Sequence, residues 1–146
     1  RRQYRIRRVF LTGGSMGGTS ALTFAVLHPE LLAGVAAMNP HANHVEYGNF
    51  QEAITASFGG TKAEVPEEYR KRSAELHADR LTMPVAITVS GRDTSVPPDS
   101  ARRLAAALAE RQHPVLLIDR PELGHLTEYH DARTIIEYVI AHARED

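Results

Sequence analysis

Cysteine is absent from the 146 residues, which removes disulfides, thiolate catalysis and cysteine-bound zinc together while leaving the redox compartment open. No apolar run approaches the roughly 20 residues that a membrane-spanning helix needs. A long basic stretch of the kind that meets nucleic acid is missing too, since 17 Lys and Arg stand against 18 Asp and Glu for a net charge of −1. The one local basic cluster, RRQYRIRR at residues 1–8, reads as a solvated helix end rather than a phosphate-binding surface. Neither nucleic-acid nor membrane partners are expected. Internal repeats and low-complexity segments are also lacking. What remains is an ordinary globular composition, 42% apolar and 24% charged, at a length that suits one domain and not two. The chain starts at Arg1 and not at methionine, so further residues upstream are expected.

Short apolar runs alternate with helical patterns, which argues for an α/β fold with a mostly parallel sheet flanked by helices. Arg8 to Thr12, Ala33 to Met38, Val85 to Ser90 and Val115 to Asp119 read as buried strands. Gly17 to Leu27 reads as a helix that stops at His28-Pro29. Asp99 to Arg111 carries Ala101, Leu104, Ala105 and Leu108 on one face. The last helix sets Ala132, Ile135, Ile136, Val139, Ile140 and Ala143 in one stripe, with Glu137 and His142 off it. Residues 41–81 are polar and broken by Gly59-Gly60 and Pro66. Two short helices are expected there, one over Phe50 to Phe58 capped by Asn49, the other from Pro66 to about His77.

The stretch VFLTGGSMGGTS, Val9 to Ser20, places one serine among four glycines where a strand turns into a helix. A serine hydroxyl is a poor nucleophile until a base takes its proton, and it must project from the sheet to meet that base. A sharp strand-to-helix turn projects it, and glycines two before and two after the serine remove side chains that would collide. Gly13-Gly14-Ser15-Met16-Gly17 has this form. The following helix aims its N-terminal amides at the same place, so the Met16 amide is a candidate oxyanion donor. As a bare pattern it equally describes a tight turn or an anion-binding loop; a strand before it and a helix after it favour the nucleophile.

Such a serine needs an acid and then a histidine further along the chain. GRDTSVPP follows the strand ending at Ser90, and RPELGH follows the strand ending at Asp119. These put Asp93 and His125 at the carboxyl ends of successive strands, where open parallel sheets hold their sites. Taken alone, Asp93 is a turn former or cap and His125 a structural histidine; order and placement together make Ser15, Asp93 and His125 a candidate catalytic triad. Asp119 is the competing acid, six residues before His125.

At these residues the chain resembles the C-terminal half of the α/β-hydrolase fold, in GGSMGG, in GRDTSVPP with its Asp-x-x-Val-Pro pattern, and in ELGH. The likeness spans Arg8 to about Ala143, and RSAELHADRLTMPVAITVSGRDTSVPP is most similar to the esterase and prolyl-oligopeptidase-related branch. The resemblance implies that residues 1–146 are the C-terminal part of a single catalytic domain, with residues 41–81 as a lid-like helical insertion. It implies a serine hydrolase that cleaves small carboxylic esters through an acyl-serine intermediate, with no metal and no organic cofactor. Ser15 would be the nucleophile, His125 the general base and then acid, Asp93 the group orienting His125, and the Met16 amide one oxyanion donor. A peptidase is the near alternative.

Relatives of this fold carry further strands before the one that leads to the nucleophile, and their second oxyanion amide comes from a loop there. The N-terminal strands are not in this sequence. A missing N-terminal segment or a partner chain is therefore expected to complete the sheet, with weak or no activity for the chain alone; a non-catalytic half-domain is the reading from a different class. Among the remaining polar residues, His41 and His44 either line the acyl pocket from a loop or lid or, less in keeping with the absence of a carboxylate pair, hold a metal. Gly14 and Arg92 are further pocket candidates, Arg92 with a solvated surface role as its alternative. Tyr47, Phe50 and Phe58 read as packing of the inserted segment.

Overall fold

The computed structural model describes residues 5–144. Among them four strands, β1 (Phe10–Gly14), β2 (Gly34–Met38), β3 (Val85–Ser90) and β4 (Val115–Arg120), form one parallel sheet in the order 1-2-3-4. Each step along the sheet needs a crossover. Helix α1 (Met16–Leu27) joins β1 to β2, α2 (Gln51–Phe58) and α3 (Pro66–Lys71) lie between β2 and β3, and α4 (Asp99–Glu110) joins β3 to β4. Helix α5 (Tyr129–Ala141) follows the last strand.

Alternation along the strands divides the core between two faces. Val35, Ala37, Val85, Ile87 and Val89 pack with Ala21, Leu22, Ala25 and Val26 of α1 and with Ala101, Leu104 and Leu108 of α4. Ala36 and Ala86 point the other way and pack with Ile135 and Val139 of α5. Because both faces of β2 and β3 are covered, these strands are buried almost throughout, β2 with apolar residues alone and β3 with Thr88 and Ser90 buried toward its carboxyl end. One helix cannot cover four strands, so Phe10, Met38, Leu116 and Ile118 on the α5 face are only partly buried. The stripe of α5 is accordingly wider than its contact: Ile135 and Val139 are buried, whereas Ile140 is 44% exposed. Strand β1 pairs with β2 alone among the described residues, and its outer edge is unpaired there.

The strands and three of the helices match the sequence patterns within two residues; the differences have local causes. Strand β1 runs two residues further than expected, to Gly14, because pairing with Met38 holds the glycines extended. Asn49 does not cap α2: the residue before the helix is Phe50, in the left-handed region with φ 53°. The Asn49 amide instead donates to the carbonyls of Thr94 and Ser95. The helix expected from Pro66 to His77 is two pieces, α3 and a 3₁₀ segment Ala74–Arg80. Between them Ser73 turns extended and inward, its buried Oγ donating to the Tyr69 carbonyl and accepting from the His44 amide at 2.8 Å each. Arg5 to Arg8 are exposed and not helical, against the helix end expected for that cluster; residues 1–4 of it lie outside the described residues.

Candidate active site

At the carboxyl end of β1 the backbone reverses into α1 through Ser15, whose φ of 54° is positive for a residue that is not glycine. Holding a serine there costs on the order of 1–3 kcal/mol, and two features keep it in place. The Ser15 amide donates to the Met38 carbonyl at 2.8 Å, tying the turn to β2. A Cβ on Gly13 would lie 2.4 Å from the Gly17 carbonyl carbon, so only glycine lets the strand pass this close to the helix. Gly17 itself would meet nothing within 4 Å, and the second crowded position is Gly18, 3.0 Å from the Gly13 and Met38 carbonyl oxygens. This corrects the symmetric role expected for Gly13 and Gly17. Met16 is the first residue of α1, with its side chain 77% exposed. Its amide belongs to the first turn, whose N–H groups have no partner within the helix.

Ser15, His125 and Asp93, separated by up to 110 residues in sequence, meet at the carboxyl ends of β1, β4 and β3. Ser15 Oγ lies 2.8 Å from His125 Nε2, and His125 Nδ1 lies 2.5 Å from Asp93 Oδ2. The Asp93 side chain is 1% exposed. Its other oxygen, Oδ1, accepts from the amides of Ser95 at 3.0 Å and Val96 at 2.8 Å. One oxygen of the carboxylate thus closes the acid turn while the other faces His125. An ionised carboxylate only accepts, so the His125 proton sits on Nδ1 and Nε2 presents a lone pair to the Ser15 hydroxyl. That tautomer lets the ring take the hydroxyl proton.

The loops bearing Asp93 and His125 are laid against each other. The Gly91 amide donates to the Arg120 carbonyl and the Arg92 amide to the Leu123 carbonyl, both at 2.9 Å. A Cβ on Gly91 would lie 2.7 Å from Pro121 Cα, which reserves that crossing for glycine. Asp119, the competing acid, is held from the other side by Arg102, whose Nε and Nη2 donate to it at 2.8 and 3.1 Å. The far end of the histidine loop is closed by Arg120 and Asp131, joined by two hydrogen bonds at 2.8 and 2.7 Å. That ion pair holds the buried Asp131 carboxyl below its ordinary range.

The structure does not gather the remaining candidates so closely. Gly14 is exposed at the end of β1 beside the turn. Arg92 is exposed and paired with Glu122 of the histidine loop. His41 and His44 are buried, their rings edge to face with centroids 4.4 Å apart. His41 stacks on Tyr47 and lines a cavity of about 220 Å³ to which neither Ser15 nor His125 contributes. Burial lowers His41 to about 3, helped by His44 and Lys62, and lowers His44 to about 4, helped by Arg72 and Lys62. Nearby cations oppose a metal ion as they oppose a proton, and among the described residues no cluster of three or more His, Asp or Glu is found. Tyr47, assigned above to packing, reaches the acid turn, its hydroxyl donating to the Ser95 carbonyl at 2.8 Å. Burial and then the Asp93 charge raise its pKa. No local pattern in the sequence marks that contact.

A parallel sheet with a strained serine turn between its first strand and helix, facing a histidine and an aspartate from later strand ends, is the architecture of the α/β-hydrolase fold. The prolyl oligopeptidase family matches residues 1–143, and the chain belongs to that family. Among solved structures, an acylaminoacyl peptidase of Pyrococcus horikoshii is 17% identical with a TM-score of 0.76, covering 99% of this chain and 25% of its own. A puromycin-hydrolyzing peptidase of Mycobacterium tuberculosis is 25% identical with a TM-score of 0.68, over 90% of this chain and 21% of its own. A monoacylglycerol lipase of Paleococcus ferrophilus is 20% identical with a TM-score of 0.65, over 94% of this chain and 70% of its own. The chain spans about a fifth of the length of most of the peptidases it resembles. No curated protein sequence matches it significantly.

Proposed function

We propose that this chain carries the catalytic triad of a serine hydrolase, with Ser15 as nucleophile, His125 as base and then acid, and Asp93 as the group that orients His125. The observation behind it is the unbroken line of two hydrogen bonds, 2.8 and 2.5 Å, from Ser15 through His125 to a buried carboxylate. In the first step the Ser15 hydroxyl proton passes to His125 Nε2 while Oγ bonds to the substrate carbonyl carbon. The negative charge on the carbonyl oxygen is met by the Met16 amide and the N-terminus of α1. His125 then gives its proton to the leaving amine or alcohol, and the acyl group stays on Ser15. Water, deprotonated by His125, attacks that acyl carbon, releasing the acid and restoring the hydroxyl.

Family membership favours an acyl group joined through a peptide bond. Ester hydrolysis is the second reading, supported by the likeness to a lipase of which this chain covers 70%. For the acyl pocket this reading keeps Gly14, beside the serine turn, and the His41 to Tyr47 segment, which meets the acid turn through the Tyr47 hydroxyl, with residues 41–81 as its lid. Arg92 keeps to its ion pair with Glu122. The unpaired outer edge of β1 supports a partner for that edge, from the same polypeptide or another chain, which also brings the second oxyanion donor. A fluorophosphonate probe tests the triad. Labelling at Ser15 that is abolished in Ser15→Ala and strongly slowed in His125→Ala supports it. A folded chain that stays unlabelled even with its sheet completed favours the non-catalytic half-domain.

A further inference from the structure

His125 is the apex of a tight turn. The Leu126 amide donates to the Gly124 carbonyl at 2.7 Å, so the imidazole projects from a loop with no regular structure between Arg120 and Tyr129. The amide contacts from Gly91 and Arg92 hold the first half of that loop, up to Leu123. After His125 the loop is held by side chains of β3. Ser90 Oγ lies 2.8 Å from the Leu126 carbonyl oxygen and 3.2 Å from Asn39 Oδ1, and Thr88 Oγ1 lies 3.0 Å from Thr127 Oγ1.

Ser90 and Asn39 are 2% and 5% exposed, so their hydrogen bonds are made with little competition from water. A serine has one proton to donate, and a backbone carbonyl only accepts, so the Ser90 proton goes to Leu126. The Asn39 side chain then satisfies Ser90 by turning its amide nitrogen toward that hydroxyl. Asn39 is itself fixed. It follows Met38, whose carbonyl receives the Ser15 amide at 2.8 Å, and its own amide donates to the Thr88 carbonyl at 2.9 Å. Its φ of 44° is again positive, a conformation that asparagine tolerates better than most residues. One buried path therefore runs from the backbone under Ser15, through Asn39 and Ser90, to the peptide next to His125.

We propose that Ser90, supported by Asn39, is a positioning residue for His125: its buried hydroxyl holds the Leu126 carbonyl and so fixes the imidazole between Ser15 and Asp93. The proposal rests on the triad reading above, since only a reacting pair gives this spacing a consequence. Ser90 touches neither substrate nor the reacting atoms. Removing its hydroxyl takes the side-chain donor from the Leu126 carbonyl and frees the turn to shift; a misplacement of about 1 Å at a reacting group costs on the order of a hundredfold in rate.

The test reads the ring and the reaction separately. In wild-type protein the 15N spectrum of the His125 ring should report one tautomer, protonated at Nδ1, with that proton slow to exchange. In Ser90→Ala the ring signals should average between tautomers and the Nδ1 proton should be lost to exchange. Leu108→Ala, a core truncation at the opposite rim of the sheet, should lower the melting temperature and leave the ring spectrum alone. A wild-type ring spectrum in Ser90→Ala overturns the proposal, as does equal averaging in Leu108→Ala. Should Ser90→Ala fail to fold, Ser90→Cys, similar in shape with a poorer donor, is read in the same way. Fluorophosphonate labelling of the same proteins should slow by about tenfold or more in Ser90→Ala. Labelling that misses Ser15 in the wild type with its sheet completed removes the hydrolase reading, while the ring spectrum still decides whether Ser90 holds His125.

Discussion

Acid should loosen this fold well before its carboxylates titrate, and the cause lies in the inserted segment. His41 and His44 are each 6% exposed, and Nδ1 of both is buried without a hydrogen-bond partner. The Thr23 hydroxyl donates to the Arg72 carbonyl at 3.1 Å, so its contact with His44 Nε2 at 3.2 Å is one in which the ring donates. His44 is therefore the neutral Nε2–H tautomer. Its Nδ1 lone pair could take a proton only inside the core, facing Lys62 and Arg72. An unfolded histidine takes up its proton near 6.5, folded His41 only near about 3 and folded His44 near about 4. The unfolded chain thus binds more protons below 6.5, and the stabilisation present above that pH is lost as pH falls toward those folded values. Each pH unit costs about 1.4 kcal/mol per group, so between neutral pH and pH 5 each histidine gives up about 2 kcal/mol and the pair about 4 kcal/mol. Against a total of about 5–15 kcal/mol for an ordinary domain, that is a large share. Urea unfolding at pH 7.5 and pH 5.0 measures it, with His41→Asn/His44→Gln as the reference that removes both groups and keeps polar side chains. Glu75 and Asp131 have carboxyls held below their ordinary values and contribute pH dependence only below that window. A wild-type loss under about 1 kcal/mol across the window, or the same loss in the double variant, would refute the reasoning.

Two further outcomes follow from the site. Gly13→Ala drives a methyl against the Gly17 carbonyl at 2.4 Å and should cost several kcal/mol or prevent folding, whereas Gly17→Ala, with open space around its Cβ, should be neutral or stabilising by up to about 1 kcal/mol; equal melting temperatures for the two would contradict the turn geometry. Asp93→Asn should cut the rate of fluorophosphonate labelling by about three to four orders of magnitude through the wrong imidazole tautomer, while Asp119→Asn, removed from His125 by its pairing with Arg102, should change it less than threefold; the reverse ranking would make Asp119 the acid.

Much of this protein was legible residue by residue. Apolar runs located all four strands, but the burial expected of them holds only for β2 and β3; β1 and β4 are partly buried because each has a single neighbouring strand among the described residues. Glycines around Ser15 marked the turn, since only a residue without Cβ passes that close to a helix. The chain order serine, aspartate, histidine at successive strand ends then proposed which three side chains meet. Periodicity failed where local preference competed with distant partners. Asn49 has the chemistry of a cap, yet its amide is spent on two carbonyls of the acid turn 45 and 46 residues away. Ser73 breaks a helix that its neighbours would continue, because its hydroxyl serves the His44 backbone 29 residues before it.

By itself the sequence determined the class of fold and the candidate triad, for both follow from spacing, turn chemistry and chain order, which are local properties. Only the tertiary structure decided that Asp93 and not Asp119 faces His125, that Arg92 turns to Glu122, and that a buried hydroxyl on β3 supports the histidine loop. Those assignments are competitions among polar groups far apart in sequence for a limited number of donors and acceptors. Which pair wins depends on where the packed sheet brings them.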